Sequence, residues 1–383
     1  MVKKFLIAIL ILIILVIAVG AVYLIDQNRM ENNEPVLFST WGKDYTPPVE
    51  TEKEEISKVN TDMNIVLSLE DEITENSAWC GTFNLIWNDL KNEIAKQDIV
   101  FNPQIKIVEN LNKGTFNETY LSEDSYYKTY GRPTIELKQQ IEKAIKEKFN
   151  ETSDILDNFD WTNSSPEDYF LYSMLKKNFE FPKEFTELEK AKFGNFENVK
   201  YFGIIPSTKE EIREQVEVLY YNSKEGFAIK LLTKGNDEVI ISVGNTQKTF
   251  GEIYNQIIEQ SKNYMGNKEF AKIDTLKIPN ISFNLKKELK ELQNKPFLFA
   301  NREHYQIEMA LQTIKFELDK KGGKIKSEAG MMVNKAAAIQ EIELPREFLI
   351  DNTFTIFLIE NNEELPYFAA KISDISKVQA DII

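Results

Sequence analysis

Cysteine and histidine are almost absent: the 383 residues hold one of each, Cys80 and His304. A lone cysteine rules out an intramolecular disulfide, so an exported body of this kind belongs on a bacterial cell surface rather than among disulfide-rich secretory domains. Cys80 sits among apolar residues and reads as a buried, inert thiol on a helix. A Ser-His-Asp or Cys-His site would have to use His304, which lies in the polar stretch Asn301-Arg-Glu-His-Tyr-Gln306 with no nucleophile motif beside it. No G-x-S-x-G, H-E-x-x-H, P-loop or C-x-x-C occurs, so the chain reads as no enzyme, with no metal and no cofactor implied. Basic residues are also outnumbered, 46 against 61 acidic ones, for a net charge of −15. Nucleic acid and other polyanions need a basic face, and this composition excludes them as partners. There is no internal repeat.

What the chain does have is one long apolar run. Phe5 to Ile25 carries no charge and follows Lys3-Lys4. About 20 apolar residues span the hydrocarbon core, and the lysines hold the N-terminus on the cytoplasmic side. Residues 1–25 therefore read as a transmembrane signal-anchor with an extracytoplasmic body at the cell membrane. The alternative is a cleaved signal peptide and a secreted body. Residues 26–71 are polar, with Asn32-Asn33, Pro47-Pro48 and Glu50-Thr-Glu-Lys-Glu-Glu55, and read as a stalk. Within it, Met63–Leu69 reads as a short strand or the domain edge.

The body, 72–383, mixes both periodicities. Asn76 or Ser77 caps a helix bearing Trp79, Phe83, Ile86, Trp87 and Leu90. Ile99–Phe101 reads as a short strand, Gln104–Asn112 as a helix stopped at Gly114, and the stretch after Pro133 as a helix through Phe149. Tyr169–Leu175 is apolar enough for a central strand. Strands follow at 199–202, 215–220, 227–232, 238–243 and 273–281, with a helix at 250–264 and short helices at 286–292 and 303–311. The pattern is α+β with large, mostly antiparallel sheets.

Near the end, Phe316-Glu-Leu-Asp319 alternates apolar with acidic, Gly322-Gly323 breaks the pattern, and Lys324 to Ala329 alternates again. A long segment without turn chemistry runs on to Leu344, and a second apolar strand lies at Phe354–Ile359. A spare strand with its own in/out alternation thus hangs between two fixed ones.

Six stretches in this order resemble a serpin, and the likeness covers Asn76 to Ile372. They are Phe83–Leu90 with Ile99-Val-Phe-Asn-Pro103; Tyr169-Phe-Leu-Tyr-Ser-Met-Leu175 through Phe185; Val216–Tyr221 with Phe227–Leu232; Phe316–Gly322; Phe348-Leu-Ile-Asp-Asn-Thr-Phe-Thr-Ile-Phe-Leu358; and Leu365–Ile372. The resemblance implies a serpin-like fold with eight or nine helices and a monomer. It also implies a target protease, of serine or cysteine type, as partner: an exposed loop is cut, inserts into the main sheet and traps the protease. Gly322, Gly323, Ile325, Ser327 and Ala329 then form the hinge, with Gly323, Ile325, Ser327, Ala329, Met331 and Val333 facing inward and Lys324, Lys326 and Glu328 outward. A one-residue slip would bury the charges. Family spacing places the reactive centre at Lys335, Ala336 and Ala337. Ala336-Ala337 would suit elastase- or subtilisin-like proteases, Lys335-Ala336 trypsin-like ones. The sequence departs from the family pattern at Ile325, bulky where a small residue eases entry, at Phe181 for a tryptophan, at Asn102 for a serine and at Gln312 for a histidine. Those departures point to the alternative, a non-inhibitory serpin-fold binding or scaffold protein.

Overall fold

The structure is a computed structural model that describes residues 63–323 and 345–379. The apolar run at 1–25, the reactive centre at Lys335, Ala336 and Ala337, and the hinge positions Ile325, Ser327 and Ala329 lie outside the described residues. Among the described residues, no helix is long and apolar enough to cross a membrane.

A seven-stranded sheet forms the centre, in the order Asn64–Ile65, Ser77–Cys80, Phe368–Ile372, Phe354–Glu360, Asp237–Val243, Gly226–Leu232 and Val216–Ser223. Phe354–Glu360 is buried at every position, Thr355 and Glu360 included, as a strand covered on both faces rather than an alternating one. Phe354↔Ile372 on one side and Val243↔Phe354 on the other set its antiparallel register. A four-stranded sheet runs Glu347–Leu349, Thr275–Pro279, Phe196–Ile204, Thr186–Phe193. Two antiparallel ribbons complete the β structure that matters here: Tyr126–Gly131 with Phe170–Leu175, and Ile281–Glu288 with Leu311–Leu318.

Met63, Ile65, Val66, Leu67 and Leu69 are buried in the same core as Trp79, Ile229 and Ile356. The packed body therefore takes in the end of the stretch read as a stalk. A second, smaller core joins Ile141 and Ile145 of the helix Ile135–Phe149 to Phe170, Tyr172 and Trp161. That helix begins where expected, because Thr134 accepts from the Leu137 amide, and Asn150 closes it in the left-handed region.

Several local expectations change. Ser77–Cys80 is a strand, and the helix begins after Gly81, spanning Thr82–Asp89. The aromatic spacing was that of a helix, but pairing with Phe368–Ile372 wins. Ile99–Phe101 is buried at Ile99 and Phe101 yet joins no strand. Of the short helices read at 286–292 and 303–311, only Lys290–Leu292 is helical, as a single 3-10 turn. Lys286–Glu288 ends the strand Ile281–Glu288, His304–Gln306 is a strand, and the partner Leu311–Leu318 buries Gln312, Ile314, Phe316 and Leu318 in strict alternation. The described residues contain five α-helices, Thr82–Asp89, Lys106–Asn112, Ile135–Phe149, Glu210–Arg213 and Phe250–Asn263, fewer than the eight or nine expected.

Candidate functional site

Gly322 and Gly323 are where the fold turns unusual. Leu311–Leu318 ends in a tight turn closed by Asp319 and Gly322, whose amides and carbonyls exchange bonds of 3.0 and 3.3 Å. The chain then doubles back, and Gly322-Gly323 pairs antiparallel with Phe179-Glu180. Only glycine fits. Gly322 has φ +141°, and a Cβ there would lie 2.3 Å from the Phe179 carbonyl oxygen and 2.7 Å from Glu180 Cα. At Gly323 a Cβ would meet the Phe179 ring at 2.6 Å and the Glu317 carbonyl oxygen at 2.7 Å.

Beside this pair, Phe181 and Phe185 donate their amides to Lys321 and Lys320 carbonyls at 2.9 Å each. Phe179, Phe181, Phe185 and Phe202 form a chain of ring contacts with centroids 4.8–6.3 Å apart. Phe181 thus sits beside the glycine pair as a buried ring, in a wholly apolar cluster.

Beyond the glycines the two ribbons part. Phe170–Leu175 pairs only with Tyr126–Gly131, and Leu311–Leu318 only with Ile281–Glu288, among the described residues. Their facing edges have no described strand between them. At its mouth Gly322 pairs antiparallel with Glu180 on one side and with Asp319, just past Leu311–Leu318, on the other.

Its floor is polar and tied to one turn. Ser173 Oγ donates to the Thr82 carbonyl at 2.7 Å, and Gln312 Nε2 donates to the Cys80 carbonyl at 3.1 Å and to Thr82 Oγ1 at 3.3 Å. Gln312 is 4% exposed and its Oε1 has no hydrogen-bond partner among the described residues. Cys80 is buried as expected, on a strand rather than a helix, and burial pushes its thiol up. Across the outer side, Lys286 Nζ donates to Asp154 O at 3.0 Å and Asn158 Oδ1 at 2.8 Å, bridging one ribbon to the loop that follows the helix Ile135–Phe149.

In fold the chain is similar to the serpins. The solved structures it resembles include thyroxine-binding globulin in complex with thyroxine, at 11% identity and TM-score 0.46 over 79% of this chain and 93% of that one. Mouse protein-Z dependent protease inhibitor stands at 13% and 0.46 over 79% and 91%. Tengpin, a thermophilic serpin in its native state, stands at 13% and 0.43 over 80% and 90%. No family model and no curated protein matches the chain. Gly322-Gly323 lie at the mouth of the opening, and Gln312 at its floor. Asn102 is exposed.

Two ionic features escaped the sequence reading. Pro345 ends the undescribed segment, and Arg346 directly after it clamps Asp274: Nε and Nη2 donate to Oδ2 at 3.1 and 2.6 Å, and the Arg346 amide donates to Oδ1 at 3.0 Å. Asp274 is 0% exposed. This holds the root of Glu347–Leu349 beside Thr275–Pro279. The second is Lys177, buried with Asp237 and Glu360 at the edge of the opening. A lysine ending an apolar strand was its only signal. Among the described residues, no group of His, Cys, Asp and Glu is placed to hold a metal ion.

Proposed function

We propose that the chain is a protease inhibitor of the serpin type, acting by cleavage of the 324–344 segment and its entry into the opening as a new strand. One observation carries this reading: two independent registers agree. Extending the Asp319↔Gly322 pairing sets Ile325 opposite Phe316, Ser327 opposite Ile314 and Ala329 opposite Gln312. Extending Gly322↔Glu180 and Gly323↔Phe179 sets the same three residues level with Lys177, Leu175 and Ser173. On the Leu311–Leu318 side the partners are buried, on the other Lys177 is buried with Leu175 and Ser173 half-buried, and Lys324, Lys326 and Glu328 fall on the opposite parity. Ala329, with the smallest of these side chains, meets the polar floor made by Ser173 and Gln312.

Reach supports it too. A cut at Lys335–Ala337 frees about 12 residues, which at roughly 3.3 Å each span about 40 Å. The strand Leu311–Leu318 needs eight rungs. The target is a serine or cysteine protease, and residues 1–25 anchor the body at the outer face of a membrane.

One feature favours the second reading, a non-inhibitory serpin-fold binding or scaffold protein. The first inward rung after the glycines would set bulky Ile325 between Phe316 and the buried Lys177, where entry is crowded. Slow entry lets the protease finish its cut and leave.

Incubation with elastase-, subtilisin- and trypsin-like proteases separates the two. Inhibition gives an SDS-stable complex and a cleaved chain that melts at a higher temperature. Clean cleavage within 324–344 with no complex and no thermal gain rejects the inhibitor.

A further inference from the structure

Lys177, Asp237 and Glu360 form a buried cluster of one ammonium and two carboxylates, exposed by only 5%, 4% and 3%. Lys177 lies in the linker between Phe170–Leu175 and Phe179-Glu180, on the edge of the opening. Asp237 begins the strand Asp237–Val243 and Glu360 ends Phe354–Glu360, two neighbours in the seven-stranded sheet. Lys177 Nζ reaches both, bonding Asp237 Oδ1 and lying 2.6 Å from Glu360 Oε1. It pins this edge of the opening to the sheet beneath it through a buried charge, whereas the neighbouring tie, Lys234 Nζ to Glu180 Oε2 at 2.7 Å, is exposed.

The two carboxylates are served unequally. Glu360 accepts from the Ser122 amide at 3.0 Å, Ser122 Oγ at 3.0 Å, Ser125 Oγ at 3.2 Å and Asn236 Nδ2 at 3.3 Å. Asp237 has, besides Lys177, the Tyr367 hydroxyl at 3.0 Å. Tyr367 is itself fully buried beneath Lys177, whose Nζ sits 4.4 Å from its ring centre. The groups facing Asp237 are therefore Lys177 from the linker, Glu360 and Tyr367 from the sheet, and the Cys80 thiol beyond Tyr367. Among the described residues, Lys177 is the one cation paired with either carboxylate. The surplus negative charge rests on Asp237.

We propose that this cluster is an acid-tightened lock, in which protonation of Asp237 balances the buried charge and strengthens the tie between the edge of the opening and the seven-stranded sheet. The lock rests on the ion cluster and does not need loop insertion.

Burial pushes the Asp237 carboxyl above its ordinary 3.8, against the pull of Lys177 and Tyr367. An acid with a raised value in the closed form costs stability while ionised, and that cost disappears as pH falls through the raised value. Burial opposes ionisation of Glu360 as well, but Lys177 and Ser122 overcome it and hold that carboxyl below its ordinary 4.5. Glu360 keeps its contribution above 4.5 and loses it in stronger acid. Protonation of Asp237 tightens the lock and protonation of Glu360 loosens it.

Hydrogen exchange at the amides of 170–180, corrected for intrinsic rates, reads the tie. In the wild-type protein, opening should slow by up to about tenfold per pH unit as pH falls from near neutral through the Asp237 titration, for one proton taken up on closing. It should quicken again once Glu360 is protonated. Asp237→Asn, which carries the balanced charge at every pH, should show slow opening already at neutral pH and no slope there. Wild-type opening that does not slow with acid, or Asp237→Asn keeping the wild-type slope, overturns the proposal. Should Asp237→Asn fail to fold, Tyr367→Phe carries the test. It strips Asp237 of a donor and should move the onset to higher pH; an unmoved onset overturns the lock.

Discussion

Replacing Gly322 by alanine tests the geometry on which the opening depends. An alanine held at φ +141° costs on the order of 1–3 kcal/mol in backbone strain. Its Cβ would sit 2.3 Å from the Phe179 carbonyl oxygen and 2.7 Å from Glu180 Cα. Both are backbone atoms, so no side chain can swing aside, and relief requires the glycine segment to leave Phe179-Glu180. That loses a short ladder worth about 0.5–1.5 kcal/mol per hydrogen bond. The two routes bound the loss at about 3 kcal/mol. With an unfolding entropy of about 2.1 cal/mol/K per residue over roughly 300 packed residues, each kcal/mol moves Tm by about 1.6 °C, so the midpoint should fall by about 5 °C. Gly194→Ala is the control. Gly194 also has positive φ, +52°, but nothing lies within 4 Å of its Cβ position. It should cost about 1–2 kcal/mol, from backbone conformation alone. Thermal melting reads both, and hydrogen exchange at Phe179 and Glu180 shows whether the pairing has opened. If Gly322→Ala melts no lower than Gly194→Ala and keeps those amides protected, the close approach is not what holds the glycine pair in place.

Other outcomes follow from the buried ion pairs. Lys177→Met strands two carboxylates beneath the edge of the opening and should cost about 3–5 kcal/mol, read by denaturant melting. Arg346→Met strips Asp274, at 0% exposure, of its paired guanidinium, leaving the Ala271 amide at 2.8 Å and the nearby Arg213. A similar loss is expected, about 3–5 kcal/mol, with protection lost at Glu347–Leu349 and partly restored by adding Asp274→Asn. In the exposed loop, Thr162 and Asn163 hold the Asp160 carboxyl down to about 2. A depressed acid contributes stability above its ordinary 3.8 and loses it as pH falls toward 2, so a carbon-13 titration of Asp160 should show its midpoint near 2.

Much of the fold is legible in short stretches. Phe354–Ile359 and Phe227–Leu232 lie in central strands because apolar runs interrupted only at Thr355 and Lys230 have nowhere to go but a doubly covered position. Thr134 and Pro133 mark the start of the helix Ile135–Phe149 through local capping chemistry. Ser77–Cys80 and Lys286–Glu288 were misread because their spacing suits a helix, and only a distant partner strand decides otherwise.

The same division runs through the candidate site. By itself the sequence determined the alternation from Gly323 onward and the need for glycine at a break, since parity along a strand and freedom at positive φ are local properties. Tertiary structure alone decided that the break lies against Phe179-Glu180, that two ribbons part beyond it, and that Lys177 joins Asp237 and Glu360 across 60 and 183 residues of chain. Charges so far apart in sequence carry no signature of their meeting. Only the packing of one sheet on another brings them to a single buried point.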